Sequence, residues 1–272
     1  MDIFTPSYYK KFKCIANECS HNCCIGWEID IDPETLQFYK TKEKIARNIE
    51  FCETPHFVLG ENERCPFLNK HNLCDIILEF GTDKLCQICR DHPRFVNSYN
   101  SREEIGLGLT CEAAVKLILE NDFCVEKFES NQEPSFEDIE ETDFFNYRER
   151  LFKTDVSEFK HLLAECDYSE LFSFFSGLER LDNGWDELLK TLKDKTNKLS
   201  DLPIKDKKLA NRLFCYFLFR YLYDYGLEFC VFCTYFILSI DYDVYETARM
   251  FSSEIEYSDE NCDEILNYLN LF

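Results

Sequence analysis

The sequence predicts a mainly α protein in two parts. A cysteine-rich metal-binding N-terminal domain with short strands is expected over residues 1–128, and an all-helical C-terminal domain over residues 136–272. Three observations predict this. Eleven of the sixteen cysteines lie at or before Cys124. Residues 1–125 carry 14 basic and 20 acidic side chains, net −6, which leaves −16 of the total −22 for the remainder. Behind a polar stretch at 129–135, apolar residues recur at three- and four-residue spacing almost without interruption.

In chain order, Asp32-Pro33-Glu34 reads as a helix start, with Asp32 as N-cap and Pro33 at the first helical position of a helix reaching about Asn48. Phe57-Val58-Leu59 and Cys65-Pro66-Phe67-Leu68 read as short strands, and Asn69-Lys70-His71-Asn72 as a tight turn before Leu73-Cys74. Ile76 to Phe80 reads as a short helix ended by Gly81. Ile105 to Leu109 reads as an extended segment before Thr110, the expected cap of a helix from Cys111 to about Asn121. Eight helices are expected behind: Phe144 to Phe152, Ser157 to Ala164, Glu170 to Leu181, Trp185 to Leu192, Lys207 to Tyr225, Leu227 to Ile240, Val244 to Phe251 and Asp259 to Leu269. Arg212, Arg220, Asp224 and Glu228 share one stripe, expected to face solvent with an Arg220–Asp224 pair, while the aromatic residues beside them are expected in the core.

Composition excludes several classes of function. A net charge of −22 repels phosphate backbones, so no nucleic-acid partner is expected. Leu213 to Ile240, the most apolar region, is interrupted by Arg220, Asp224 and Glu228, and no membrane span is expected. The opening residues lack the apolar stretch of a secretory leader, so a cytoplasmic location is expected, where reduced thiols favour metal over disulfides.

The chemistry therefore rests on the cysteines. Cys14-x4-Cys19-x3-Cys23-Cys24 places four thiols within eleven residues, and thiolate is the preferred ligand of zinc, cuprous copper and iron–sulfur clusters. Neighbouring side chains normally diverge, so Cys23 and Cys24 are expected to serve two centres, or one of them to be a packed or reactive thiol. Cys65 before Pro66, Cys74 after the turn, Cys89 in Cys86-Gln-Ile-Cys89-Arg90-Asp-His-Pro-Arg94 and Cys111 at a helix start complete the candidate ligands. The Cys86-x2-Cys89 spacing suits zinc or a redox pair. Arg90 and Arg94 are the candidate cofactor-binding residues, able to offset the charge of a thiolate-ligated cluster or to hold a carboxylate. Surface salt bridges are their competing use.

Cys14-x4-Cys19-x3-Cys23-Cys24-Ile-Gly-Trp27-x-Ile-Asp-Ile-Asp32, Cys65-Pro-Phe-Leu68, Leu73-Cys74, Cys89-Arg90-x-x-Pro93-Arg94 and Leu109-Thr110-Cys111-Glu-Ala-Ala together resemble the flagellin lysine-N-methylase family over residues 10–120. The pattern is similar, more distantly, to a group of cysteine-cluster proteins described as zinc- or iron-chelating. The resemblance implies methyl transfer from S-adenosylmethionine to lysines of flagellin or another lysine-bearing protein by a chain carrying a [4Fe–4S] cluster. It also implies Cys14, Cys19, Cys23, Cys24, Cys65, Cys74, Cys89 and Cys111 as the ligands. A non-enzymatic zinc- or iron-chelating module is the alternative. Cys86 and His92 stand where that pattern has other residue types, so neither inherits a role.

Two familiar cofactor signatures are absent. Gly106-Leu-Gly108 lacks the third glycine of a dinucleotide-type loop and reads as a strand end. Cys19-x3-Cys23 has the first spacing of the radical-type Cys-x3-Cys-x2-Cys string, but the next cysteine is adjacent. A substrate lysine must lose a proton before its amine can attack a methyl group. Asp30, Asp32 and Glu28 lie near the cysteines, but Asp32 is better used as a helix cap, and no catalytic base is assigned.

Overall fold

The computed structural model describes residues 2–129, 139–181 and 184–271. Its strands are β1 (Asp2–Pro6), β2 (Ile49–Glu50), β3 (His56–Phe57), β4 (Arg94–Ser98), β5 (Arg102–Leu107) and β6 (Val125–Glu129). Its α-helices are α1 (Pro33–Lys40), α2 (Glu43–Ala46), α3 (Asp75–Phe80), α4 (Gln87–Asp91), α5 (Glu112–Glu120), α6 (Ile139–Leu151), α7 (Tyr168–Gly177), α8 (Trp185–Leu189), α9 (Lys207–Ser239), α10 (Val244–Phe251) and α11 (Asp259–Leu269). The fold is mainly helical, as expected. Among the described residues no helix is long and apolar enough to cross a membrane.

The chain divides into two compact units, Lys13–Phe95 and the combination of Met1–Phe12 with Val96–Phe272. This differs from a division at 129–135, and strand pairing is the reason. β1 runs parallel to β5, with Asp2 opposite Arg102, and antiparallel to β6, so the start of the chain joins its later part. The sheet order is β4-β5-β1-β6. Of the polar stretch, only Glu129, the last residue of β6, is among the described residues. Among the described residues from Ile139 onward the regular elements are all helical, but their unit also holds β1, β5 and β6.

In the larger unit, local signals set the helix ends. Asp206, Asp243 and Ser258 cap α9, α10 and α11 through Leu209, Glu246 and Asn261 N–H groups at 3.0, 2.9 and 3.2 Å. Gly226, at φ +80° and ψ 177°, breaks α9 into the two helices expected on either side of it. Val156–Leu163 is a 3-10 helix and not an α-helix. α5 begins one residue later than expected, with Cys111 as its N-cap residue, while the Thr110 hydroxyl pairs with Ser253 at 2.8 Å.

The aromatic residues of α9 are core: Phe214, Phe217, Phe232 and Phe236 are fully buried, and Phe236 stacks on Phe175 at 4.0 Å between centroids. Arg220 does not lie on a solvent-facing stripe, its side chain being only 13% exposed. Arg220 donates to the Tyr216 hydroxyl at 2.8 Å and pairs with buried Glu256 at 3.3 Å, and Arg212 pairs with Asp122 at 2.8 Å. A buried guanidinium needs a carboxylate that shares its desolvated surroundings, and Glu256 supplies one. A second buried pair joins Arg148 to Glu104 at 2.6 Å.

The smaller unit begins its helices where expected: Asp32 accepts from Thr35 N–H at 2.9 Å, and Pro33 opens α1. The helix stops at Lys40, well short of Asn48. The Thr41 N–H and hydroxyl both bond the Phe38 carbonyl, at 3.0 and 2.7 Å, and Lys42 turns extended before α2. β2 and β3 pair Ile49 with Phe57. Buried Phe57 then packs on Tyr39 and Phe67, with centroids 5.6 and 4.9 Å away. Cys65-Pro66-Phe67-Leu68, expected as a strand, is a turn from which only Leu68 bridges to Cys74. Gly81, at φ +90°, ends α3, where a Cβ would lie 2.9 Å from the Asp83 carboxylate.

Candidate metal centre

Three local structures of the smaller unit draw thiols together. In the first, Ile25 bridges Arg64, Gly26 N–H donates to the Glu63 carbonyl at 3.1 Å, and Cys65 N–H donates to the Cys24 carbonyl at 2.8 Å. Gly26 sits at φ +92°, which glycine alone adopts without strain. The Trp27 indole N–H donates to the Cys23 carbonyl at 2.6 Å, fixing the loop that presents Cys23 and Cys24.

The second structure is the 69–73 turn. Asn69 Oδ1 accepts from His71 and Leu73 N–H at 2.9 and 3.2 Å, while the Arg64 guanidinium donates to the Asn69 carbonyl and to Asn72 Oδ1, both at 2.8 Å. The chain therefore doubles back and sets Cys74 opposite Leu68.

The third is the start of α4. Asp32, besides capping α1, accepts from Gln87 N–H at 2.7 Å through its other oxygen. That bond anchors the segment in which Cys86 and Cys89 bring their sulfurs to 3.4 Å. Cys65 and Cys86 are buried in a core with Tyr39, Phe57, Phe67 and Ile76, against which half-buried Cys24, Cys74 and Cys89 pack.

The sulfurs influence one another electrostatically. The Cys24 thiol donates to the Cys23 sulfur and His92 adds a second bond, so Cys23 is lowered, whereas Cys24 is raised by that same bond and by burial. Burial pushes Cys65 up to about 11, with Cys74 and Cys86 adding repulsion, and burial also raises Cys74. The contact between the Cys86 and Cys89 sulfurs lowers Cys86 and raises Cys89; Cys24 and Cys65 add to the rise. So many crowded thiols cannot ionise together in isolation. A bound cation removes that obstacle and expels their protons.

Cys23, Cys24, Cys65, Cys74 and Cys89, five of the eight sequence candidates, therefore share one neighbourhood. Cys14 and Cys19 belong to the same unit but engage local backbone: the Cys14 sulfur accepts from Ala16 N–H at 3.4 Å and the Cys19 thiol donates to the His21 carbonyl at 3.1 Å. Cys111 belongs to the larger unit. Arg90 and Arg94 are exposed; Arg94 donates to the Arg90 carbonyl at 3.0 Å, and the Arg90 charge lies near Asp83. Cys23 and Cys24 do not diverge, because they occupy a turn and not a strand.

Two residues passed over in the sequence enter the site. Cys86 touches Cys89, and His92 bonds the Cys23 sulfur with its ring 6.4 Å from that of Trp27. The two-residue spacing of Cys86 and Cys89 was the available signal; nothing local marked His92. Among the described residues no three of these groups already converge on a common ion position. The donors are nevertheless chemically uniform, a set of sulfurs suited to soft metal. A cavity of about 210 Å³ opens on the same unit, floored by Phe67, Ile76 and Phe80 and rimmed by Lys42, Asp75 and Glu79. Phe67 and Ile76 each follow a cluster cysteine by two residues.

No protein-family model and no solved structure matches the chain. It is similar to the flagellar biosynthetic protein FliU of Salmonella muenchen, with 29% identity over 126 residues, 42% of this chain and 75% of that protein. It is also similar to the Lysine-N-methylases of Salmonella typhimurium and Salmonella choleraesuis, each 27% identical over 42% of this chain. The match spans only 31% of those two relatives. Over this shared portion the chain is similar to proteins named Lysine-N-methylase and flagellar biosynthetic protein FliU.

Proposed function

We propose that the protein is a protein-lysine N-methyltransferase that uses S-adenosylmethionine, with flagellin or another lysine-bearing protein as substrate, and that its smaller unit holds a thiolate-ligated [4Fe–4S] cluster. The observation that carries this reading is the gathering of Cys23, Cys24, Cys65, Cys74 and Cys89 in a relative of proteins named Lysine-N-methylase. Cys24, Cys65, Cys74 and Cys89 are the donors best placed to hold the cluster, with Cys14, Cys19 and Cys23 as the remaining candidates of the same unit. Bound by three of these thiolates, such a cluster would leave one iron able to hold amino and carboxylate groups. Arg90 follows Cys89 directly, and with Arg94 it places positive charge for the donor's carboxylate.

The cavity lined by Phe67, Ile76 and Phe80 suits an aliphatic chain, and of its carboxylates Glu79 suits the ammonium that ends a lysine, Asp75 being paired with Lys44 at 3.8 Å. The net charge of −22 favours approach of basic substrates. A zinc-holding module is the second reading, favoured by the burial of Cys65 and Cys86 in the unit's core.

The test incubates anaerobically purified protein with flagellin and methyl-labelled S-adenosylmethionine, followed by peptide mass spectrometry. Methyl-lysine formed by the wild type and lost in Cys65→Ser supports the proposal. No labelled lysine in flagellin or in a whole-cell protein extract refutes the enzyme.

A further inference from the structure

We propose that Cys86 is a metal-ligating thiol and, with Cys89, supplies two of the sulfurs of the metal centre of the smaller unit, both reaching one ion where that metal is zinc or cadmium. The inference rests on the reading that this cluster holds metal, and it adds a donor that the family pattern does not supply.

Four observations converge. The Cys86 sulfur lies 3.4 Å from that of Cys89, and two thiolates bound at ~2.3 Å to one tetrahedral ion stand about 3.8 Å apart, so a small opening of the pair admits the ion. The two-residue spacing is the one by which neighbouring cysteines present two sulfurs to one zinc ion or one iron–sulfur centre. Cys86 is fully buried and faces other sulfurs: its charge is felt by both Cys65 and Cys74, and Cys89 in turn feels Cys24 and Cys65. Finally, the pair is held in place independently of any metal, since Cys86 is the N-cap residue of α4 and the next residue, Gln87, is pinned by Asp32 at 2.7 Å. The surrounding wall includes Tyr39, whose hydroxyl is committed to the Lys84 carbonyl at 2.8 Å, so it does not compete for the ion. On binding, each thiol loses its proton to solvent and its sulfur takes the metal.

The test uses cadmium as the probe on full-length apoprotein. Correlation spectra between ¹¹³Cd and protons identify ligating cysteines through coupling to their β-protons without any substitution. Coupling to both Cys86 and Cys89 is expected, and cadmium coupled to Cys89 but not to Cys86 overturns the proposal. Cys86→Ser should weaken cadmium binding roughly tenfold or more, while Cys215→Ser, buried in the larger unit, should leave it unchanged. Equal affinity in Cys86→Ser and wild type makes Cys86 a packed thiol and overturns the proposal. Cys86→His should restore binding with one sulfur ligand fewer. Failure to bind cadmium at all overturns this inference and the metal centre together. Ligation by Cys86 without methyl transfer removes only the proposed activity.

Discussion

Asp32 ties the candidate centre to its unit, and its removal has a calculable consequence. One oxygen caps α1 through Thr35 N–H at 2.9 Å, and the other accepts from Gln87 N–H at 2.7 Å, next to Cys86. Loss of an N-cap costs about 1 kcal/mol. The second bond, charged but solvent-exposed, adds about 1 kcal/mol, near the low end for charged acceptors. Asp32→Ala should therefore destabilise the smaller unit by about 2 kcal/mol, and Asp32→Asn, which keeps an oxygen for the cap and loses a good acceptor for Gln87, by about half as much. Native-state hydrogen exchange on the full chain reads this by residue: protection should fall across α1 and α4 and stay unchanged in α10 and α11. The backbone bonds hold the Asp32 carboxyl below its usual range, although its partial burial acts the other way. Its contribution is thus present above the unfolded value near 4 and is lost as pH falls through the lower folded one. Identical exchange in wild type and Asp32→Ala, or equal loss in the alanine and asparagine variants, would refute this reasoning.

Three further outcomes concern stability. Glu104→Gln leaves Arg148, buried among Phe144, Phe145, Phe152 and Phe219, without its carboxylate, and should cost about 3–5 kcal/mol in urea denaturation; a loss below ~1 kcal/mol contradicts the burial argument. Gly226→Ala forces a Cβ into a region that only glycine occupies freely and should cost about 1–3 kcal/mol, although nothing lies within 4 Å of that Cβ; an unchanged denaturation midpoint would contradict it. His56 is raised by its bond to the Thr54 carbonyl and by Glu28 and Glu50 at 3.4 and 3.6 Å. Its contribution is complete below the unfolded value near 6.5 and disappears as pH rises through the higher folded one. Proton NMR titration of the His56 ring should show the elevated value in wild type and a fall in Glu28→Gln.

Helix ends were legible in the sequence because their signals are local. Asp32-Pro33, Gly81, Gly226 and the limits of α10 and α11 all lie where caps, glycine and apolar spacing put them. The sheet was not legible, since β1 meets β5 across about a hundred residues and a parallel register leaves no turn to read. The same non-local pairing explains why the unit boundary falls at 12/13 and 95/96 and not at the polar stretch. The partner of Arg220 was not legible for a related reason: Glu256 closes a π-helical segment, Ser252–Glu256, in which regular α-helical spacing is lost. In the candidate centre, residue types and spacing marked the thiols, whereas the Cys23–Cys24 contact and the place of Cys86 depend on turn geometry that only the fold supplies.

The proposed activity depends on metal held by the gathered thiols of the smaller unit. Iron, zinc and acid-labile sulfide per chain in anaerobically purified full-length protein test it most directly. Iron with matching sulfide is expected, lost in Cys65→Ser and retained in Cys166→Ser. Zinc without sulfide would replace the cluster by a zinc site on the same sulfurs, and metal-free protein with all sixteen thiols open to titration after unfolding would contradict the claim.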